Sequence, residues 1–231
     1  MSRAAEAELA FQLPGGARVL FTERSNGNLS SVGGEGAEEG TAARARLLAG
    51  IGARALARGY QVHGTHVQRV SAVPAHEQPR AGSDDADGQA TALGGVAAMV
   101  LVADCLPVAL CDGGAVAMVH AGWRGLAAGV LEEGVRALGE LGGGAQPVAI
   151  VGPGAGLCCY EVGPEVHAAL GRSEPRRARI DLRAIAHERL AAAGVTDVRD
   201  SASCTICDER FFSHRREGAR AGRQAGLAWL S

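Results

Sequence analysis

Four apolar runs constrain this chain more than anything else in it: VAAMVLVADC at 96–105, LPVALC at 106–111, GAVAMVH at 114–120 and PVAIV at 147–151. They are continuous rather than alternating, as strands covered on both faces are. Such strands need a layer of structure on either side, so the chain reads as layered, mixed α and β. LPVALC continues the first run, and Asp112-Gly113-Gly114 makes a tight hairpin turn into the next. The stretch 96–111 is broken by Asp104 and Pro107 and is too short to span a bilayer. With 231 residues there is chain enough for one domain with a substantial core.

The remaining pattern fills in around these strands. Residues 17–22 read as a strand and 26–40 as a loop. A helix is expected over 41–56, with Thr41 as N-cap and Leu47, Leu48 and Ile51 on one side. Residues 74–95 read as a second loop, 124–141 as a helix, and Asp181 as the cap of a helix that stops at Gly194. No linker divides the chain, so 1–231 is expected to be a single domain.

All 23 basic residues are arginine, and with no lysine the chain can have no Schiff-base, general-base or P-loop lysine. A net charge of −2 and 3% aromatics offer neither a basic field nor stacking platforms for nucleic acid. Glu6 and Glu8 stand where a signal peptide would need apolar residues. A cytoplasmic protein with its six cysteines mostly as reduced thiols is expected.

His63 in QVHG, Cys105 after Asp104, and His120 before AGWRG lie at or near ends of buried strands, where α/β proteins place sites. Two histidines and a cysteine are a three-ligand set of the kind catalytic zinc uses, leaving a fourth position open. The alternative is a buried thiol with two hydrogen-bonded core imidazoles. Arg124, at the expected start of a helix, could bind phosphate or carboxylate, or act as a surface cap. VGPGAG at 151–156 lacks a true phosphate-loop pattern and reads as a turn. Cys158-Cys159 and Cys204-x-x-Cys207 could be a second metal site or a redox pair, with a structural thiol cluster preferred. The arginine-rich stretch 213–224 is either a solvated turn or a wall closing an anionic-substrate site.

In order, QVHGTHV, ADCLPVAL, HAGWRGLAAGV, GPGAGLCCYEVG and CT…FFSHRREG…GRQ resemble the YfiH-like family over about residues 19–230. That family, long labelled laccase-like or multicopper polyphenol oxidase, is understood as zinc-dependent purine nucleoside phosphorylases that also deaminate adenosine. The resemblance implies an α+β fold, a layered α/β/β/α sandwich with mixed sheets, and zinc held by His63, Cys105 and His120. It implies purine nucleosides and inorganic phosphate as small-molecule partners, methylthioadenosine included, with no nucleic acid or membrane, in a monomer or small homo-oligomer. Its SLNLG-type loop survives as Asn28-Leu29-Ser30, its NR pair becomes Ala43-Arg44, and its SYRR becomes Ser213-His214-Arg215-Arg216. These departures bear on substrate preference and rate. Arg124, Arg44, Asn28 and Arg215 are the expected phosphate and substrate residues, and Asp104 or Asp87 the expected proton shuttle. Multicopper chemistry is disfavoured, because seven histidines without one HxH pair cannot furnish a blue-copper site and a copper cluster, although one copper could sit in the His₂Cys set. Two other classes remain: a thiol hydrolase with Cys105 as nucleophile and His120 as base, and a non-catalytic metal-binding module.

Overall fold

The central apolar runs do not share one sheet. In the computed structural model, which describes residues 9–30, 36–75, 79, 81–142 and 144–231, they divide between two. The acidic N-terminus with Glu6 and Glu8, and parts of both expected loops (31–35, 76–78 and 80), lie outside the described residues. In chain order the elements are β1 (Ala10–Gln12), β2 (Ala17–Phe21), α1 (Gly36–Ile51), β3 (Ala55–Ala57), β4 (Val67–Arg69), β5 (Gly88–Thr91) and β6 (Val96–Val102). There follow β7 (Leu106–Cys111), β8 (Val116–Ala121), α2 (Trp123–Ala128), α3 (Val130–Leu141), β9 (Val148–Val151), β10 (Glu161–Val162) and α4 (Pro164–Ala169). The last are β11 (Ala178–Arg179), α5 (Leu182–Ala192), β12 (Asp197–Asp200), α6 (His214–Glu217) and β13 (Gln224–Leu230).

One sheet runs β1-β2-β13-β6-β3 and the other β12-β9-β7-β8-β5-β4, each mixing parallel and antiparallel pairs. Side-chain alternation sorts the layers. Ala98, Val100 and Val102 of β6 meet Ala109, Cys111, Val116, Met118 and Ile150 between the sheets. Ala97 and Met99 point the other way, with Leu227 and Trp229, onto Ala43, Leu47 and Leu48 of α1. Val108, Leu110 and Val119 face Leu126, Leu131 and Leu138 of α2 and α3 and Ile185 and Leu190 of α5. The order is helix, sheet, sheet, helices, as the apolar runs and the resemblance imply. Each aliphatic side chain so enclosed contributes roughly 1.5–3 kcal/mol, and the inner strands carry them on both faces.

Four boundaries differ from the sequence reading. LPVALC does not prolong β6; the chain leaves one sheet at Val102 and enters the other at Leu106. Helix α1 starts at Gly36, with Glu38 and Glu39 favouring its first turn, and ends before Gly52, whose φ of 71° suits a glycine stop. Thr41 therefore lies inside the helix rather than capping it, and 55–57 is a strand. The segment taken as a second loop contains β5, wholly buried between β4 and β8. The helix expected over 124–141 is two, divided at Gly129 with φ 97°. Helix α5 is as read, the Asp181 carboxylate accepting the N–H groups of Arg183 and Ala184. Among the described residues no helix is long and apolar enough to cross a membrane.

Candidate metal centre

The crossing between sheets is made by residues 103–105. Asp104 takes a φ of 89°, a conformation costing a non-glycine residue roughly 1–3 kcal/mol unless its surroundings hold it. They do. Its Oδ1 accepts the Thr205 hydroxyl at 2.7 Å and its Oδ2 the Arg215 backbone N–H at 2.7 Å. The strained residue delivers Cys105 directly before β7.

His120 lies near the end of β8, across from Pro107 of β7, and is buried. Its Nδ1 is 2.7 Å from Oδ1 of Asp87, which is fully buried. With Nδ1–H donated to that carboxylate, Nε2 is the lone-pair donor left for an ion. The same carboxylate accepts three successive backbone N–H groups, from Val62 (3.1 Å), His63 (2.9 Å) and Gly64 (2.6 Å). That explains how His63, with φ 60°, is held in left-handed backbone. Gln61 anchors the same loop to β6, its amide donating to the Leu101 carbonyl and accepting the Leu101 N–H, both at 2.8 Å.

These supports bring the three expected ligands together. Cys105 Sγ lies 3.9 Å from His63 Nε2, the imidazoles stand edge to face at 4.8 Å, and all three donor atoms lie within 4.8 Å of one another. A tetrahedral zinc with Zn–S near 2.3 Å and Zn–N near 2.0 Å would set sulfur and nitrogen about 3.6 Å apart, so the set fits with little adjustment. A Cβ on Gly122 would stand 3.0 Å from both Cys105 Sγ and His63 Cδ2, so glycine keeps that side open. Burial alone would raise the Cys105 thiol, but His120 and His63 outweigh it and bring it down to about 6. Burial would lower His120, yet the Cys105 thiolate and Asp87 carry it up to about 9. Burial opposes ionisation of Asp87 too, and its bonds to His120 and the 62–64 backbone hold it below the usual carboxylate range. Cys111, by contrast, is pushed up to about 12 by burial, with the Asp112 charge beside it adding to the rise.

The expected anion-binding residues separate into two kinds. Arg124 is exposed, its guanidinium 4.3 Å from the Trp123 ring, with no carboxylate partner among the described residues. It sits on a helix of only six residues, so its own charge, more than a helix dipole, would attract an anion. Arg215 lies over Tyr160 at 4.7 Å and donates to the Glu161 carbonyl. Arg44 is fully buried and donates to the Leu29 carbonyl and the Thr41 hydroxyl. Asn28 accepts the N–H groups of Arg223 and Ser30. Both therefore shape the 28–30 loop. Arg216 and Arg223 likewise brace carbonyls, of Thr205, Ile206 and Phe211 and of Ala221 and Gly222 respectively. Two surface hollows, one beside Pro164–Pro175 and one between Ala57 and Asp84, contain none of the three ligands.

Sequence reasoning passed over Gln61, Thr205, Tyr160 and Gly122. All four stand inside motifs already noted, Gln61 in QVHG, Gly122 in HAGWRG, Tyr160 in GPGAGLCCYEVG and Thr205 in CT…FFSHRREG, so adjacency was a usable signal.

Residues 18–231 match the family model described as multi-copper polyphenol oxidoreductase laccase. The chain is 39% identical to a purine nucleoside phosphorylase of Xylella fastidiosa strain Temecula1, over 94% of this chain and 88% of that one. It is 36% identical to a purine nucleoside phosphorylase of Streptomyces coelicolor, over 93% and 96% respectively. A crystal structure of Neisseria meningitidis protein NMB0706, of the DUF152 family model, matches with a TM-score of 0.81 and 31% identity over 98% and 99%. A Bacillus licheniformis hypothetical protein, YfiH, shares the fold with a TM-score of 0.81 at 23% identity over 93% of each chain. With the match covering nearly all of its length, the chain belongs to this laccase-like, YfiH-type family.

Proposed function

We propose that the chain is a zinc-dependent purine nucleoside phosphorylase, taking adenosine, inosine or guanosine and phosphate to free base and ribose 1-phosphate. Adenosine deaminase and methylthioadenosine phosphorylase activities at the same site complete the reading, in a cytoplasmic monomer or small homo-oligomer. One observation carries it: two imidazoles and a thiol converge within 4.8 Å, and one buried carboxylate, Asp87, orders both histidines. The names of the relatives supply the substrate class.

His63, Cys105 and His120 would hold the ion. When bound, zinc supplies a Lewis acid that brings the pKa of a water from ~15.7 toward ~7. In phosphorolysis a phosphate oxygen bonds to ribose C1′ as the bond from C1′ to the base breaks, and the proton carried by hydrogen phosphate ends on the departing purine. Arg124 is assigned to the phosphate, where a guanidinium can offer two parallel donors, and Arg215 to substrate binding. Asn28 and Arg44 act through the 28–30 loop. Every oxygen of Asp87 and Asp104 already accepts a hydrogen bond, so both are assigned to positioning the ligands, replacing the proton-shuttle expectation.

A second reading has one observation behind it: Cys105, His120 and Asp87 form a thiolate–imidazolium–carboxylate series, the set a thiol hydrolase needs. It leaves His63 without a role. Purified protein incubated with adenosine and phosphate, with products separated by chromatography, decides. Adenine or inosine above a Cys105→Ala control, abolished by chelation, supports the zinc reading. Neither product above that control sinks it. Activity spared by chelators and lost to iodoacetamide would transfer the case to the thiol.

A further inference from the structure

Cys158, Cys159, Cys204 and Cys207 are absorbed by none of this chemistry, yet they converge. The sulfur of Cys207 lies 2.8 Å from that of Cys159, 3.2 Å from Cys158 and 3.5 Å from Cys204, and all four lie within 4.8 Å of one another. None is in a disulfide. Cys158 and Cys159 lie in the turn 157–159 and Cys207 in the turn 205–207, while Cys204, directly before that turn, is bridged to Gly154. We propose that these four thiols form a second, closed metal site for a soft divalent cation of the zinc class, which staples the two turns together behind the first centre.

Four observations support this. Tetrahedral zinc with Zn–S near 2.3 Å sets its sulfurs about 3.8 Å apart, within the spread seen here. The donors are all sulfur, with no carboxylate or imidazole in the group, which selects zinc-like ions over magnesium or calcium. The Gly156 N–H points at Cys204 Sγ from 3.2 Å, the bond a metal-bound thiolate accepts. Gly156 also leaves room for the sulfurs: a Cβ there would meet Cys204 Sγ at 3.2 Å and Cys158 Sγ at 3.3 Å.

The place in the fold says what the ion would do. Thr205, next to Cys204, donates its hydroxyl to Asp104, and Ala155, beside Gly156, donates its N–H to the Asp104 carbonyl. Both turns thus grip the strained residue that presents Cys105. Binding the cation releases thiol protons and makes the packing of four sulfurs a closed shell rather than a cluster of exposed nucleophiles.

The test uses cobalt(II) as the probe on the full chain, purified reduced and metal-free, with bound ion measured by elemental analysis. The native chain should bind about two ions and His63→Ala about one, the latter with the intense thiolate-to-cobalt charge-transfer bands of a four-sulfur site. Cys204→Ser with Cys207→Ser should also keep about one, with the weaker bands of a single thiolate. On the native chain, zinc should shield all four cysteines from iodoacetamide until a chelator is added. A folded His63→Ala chain that binds no cobalt would overturn the proposal, whatever the nucleoside assay shows. So would four cysteines that alkylate equally with and without zinc, or that are found paired as disulfides after anaerobic purification.

Discussion

The two cysteine-bearing clusters of this molecule invite comparison because they use the same element in opposite ways. His63, Cys105 and His120 are held by strand ends and by a buried carboxylate, with mixed nitrogen and sulfur donors and a side kept clear by Gly122. Cys158, Cys159, Cys204 and Cys207 sit on two surface turns with sulfur alone. Three donors leave a position for chemistry and four close the shell, so under the proposed readings number and kind of donor separate a working site from a fastening. The contrast in support is as instructive. The first cluster is ordered through a buried side chain, the Asp87 carboxylate, whereas the second is ordered through backbone, by the Gly154–Cys204 bridge and the Gly156 N–H.

Breaking the first cluster should have the largest effect. Cys105→Ala removes a proposed ligand and is expected to abolish nucleoside turnover, leaving the second cluster's cobalt spectrum intact. Next comes pH. Between about 6 and 9 the ion-free site holds a Cys105 thiolate beside a protonated His120, so an ion must displace one proton, from His120. Apparent zinc affinity of the first cluster should therefore rise about tenfold per pH unit across that window and flatten above it, as read by competition with a chromophoric chelator. A flat profile would mean that the pair is not charged this way.

Asp87→Asn keeps the shape of the side chain but weakens its hold on His120 and on the 62–64 backbone. About a 10–100-fold loss of zinc affinity or activity is expected, with the four-thiol cluster unaffected. Arg124→Ala should raise KM for phosphate roughly tenfold or more while leaving zinc content unchanged, since a charge-assisted hydrogen bond contributes about 1.5–3 kcal/mol. The smallest effect sharpens the comparison most. Thr205→Val cuts the side-chain link between the clusters and leaves Asp104 Oδ1 unsatisfied, costing about 1–3 kcal/mol of stability with both ions still bound. Thermal unfolding of the zinc-loaded variant reads it directly.

What the sequence made legible follows from the same physics. Continuous apolar runs announce strands enclosed on both faces, so β6, β7, β8 and β9 could be read, and so could the 112–114 turn. The change of sheet at 103–105 could not. Apolarity runs unbroken up to Ala103, and hydrophobic period carries no information about which sheet a strand joins. Helix α1 was displaced because Gly36 and Gly40 resemble loop residues and its alanine-rich faces differ little in polarity. Strand β5, GQAT, has one β-branched residue and no alternation, and only its neighbours bury it. At the site, residue types suggested His63, Cys105 and His120, and the resemblance made them a set. Asp87 could be named as a proton shuttle, but its bonds to His120 and to the 62–64 backbone were not legible, because it lies in a polar stretch whose carboxylates look alike until the fold buries one. Arg44 could be named as a substrate residue through the resemblance, while its burial in the core was not legible, because nothing in the local pattern of an arginine in a helix marks it as enclosed.

The crossing at 103–105 also bears on how the protein breathes. Gln61 ties the His63 loop to β6 in one sheet, His120 belongs to β8 in the other, and Cys105 stands on the corner between them. The three donors can meet only while the two sheets keep their relative offset. An ion bound there would act as a rivet against shear of the sandwich, and slow amide exchange at 99–102 and 117–120 should deepen together on adding zinc.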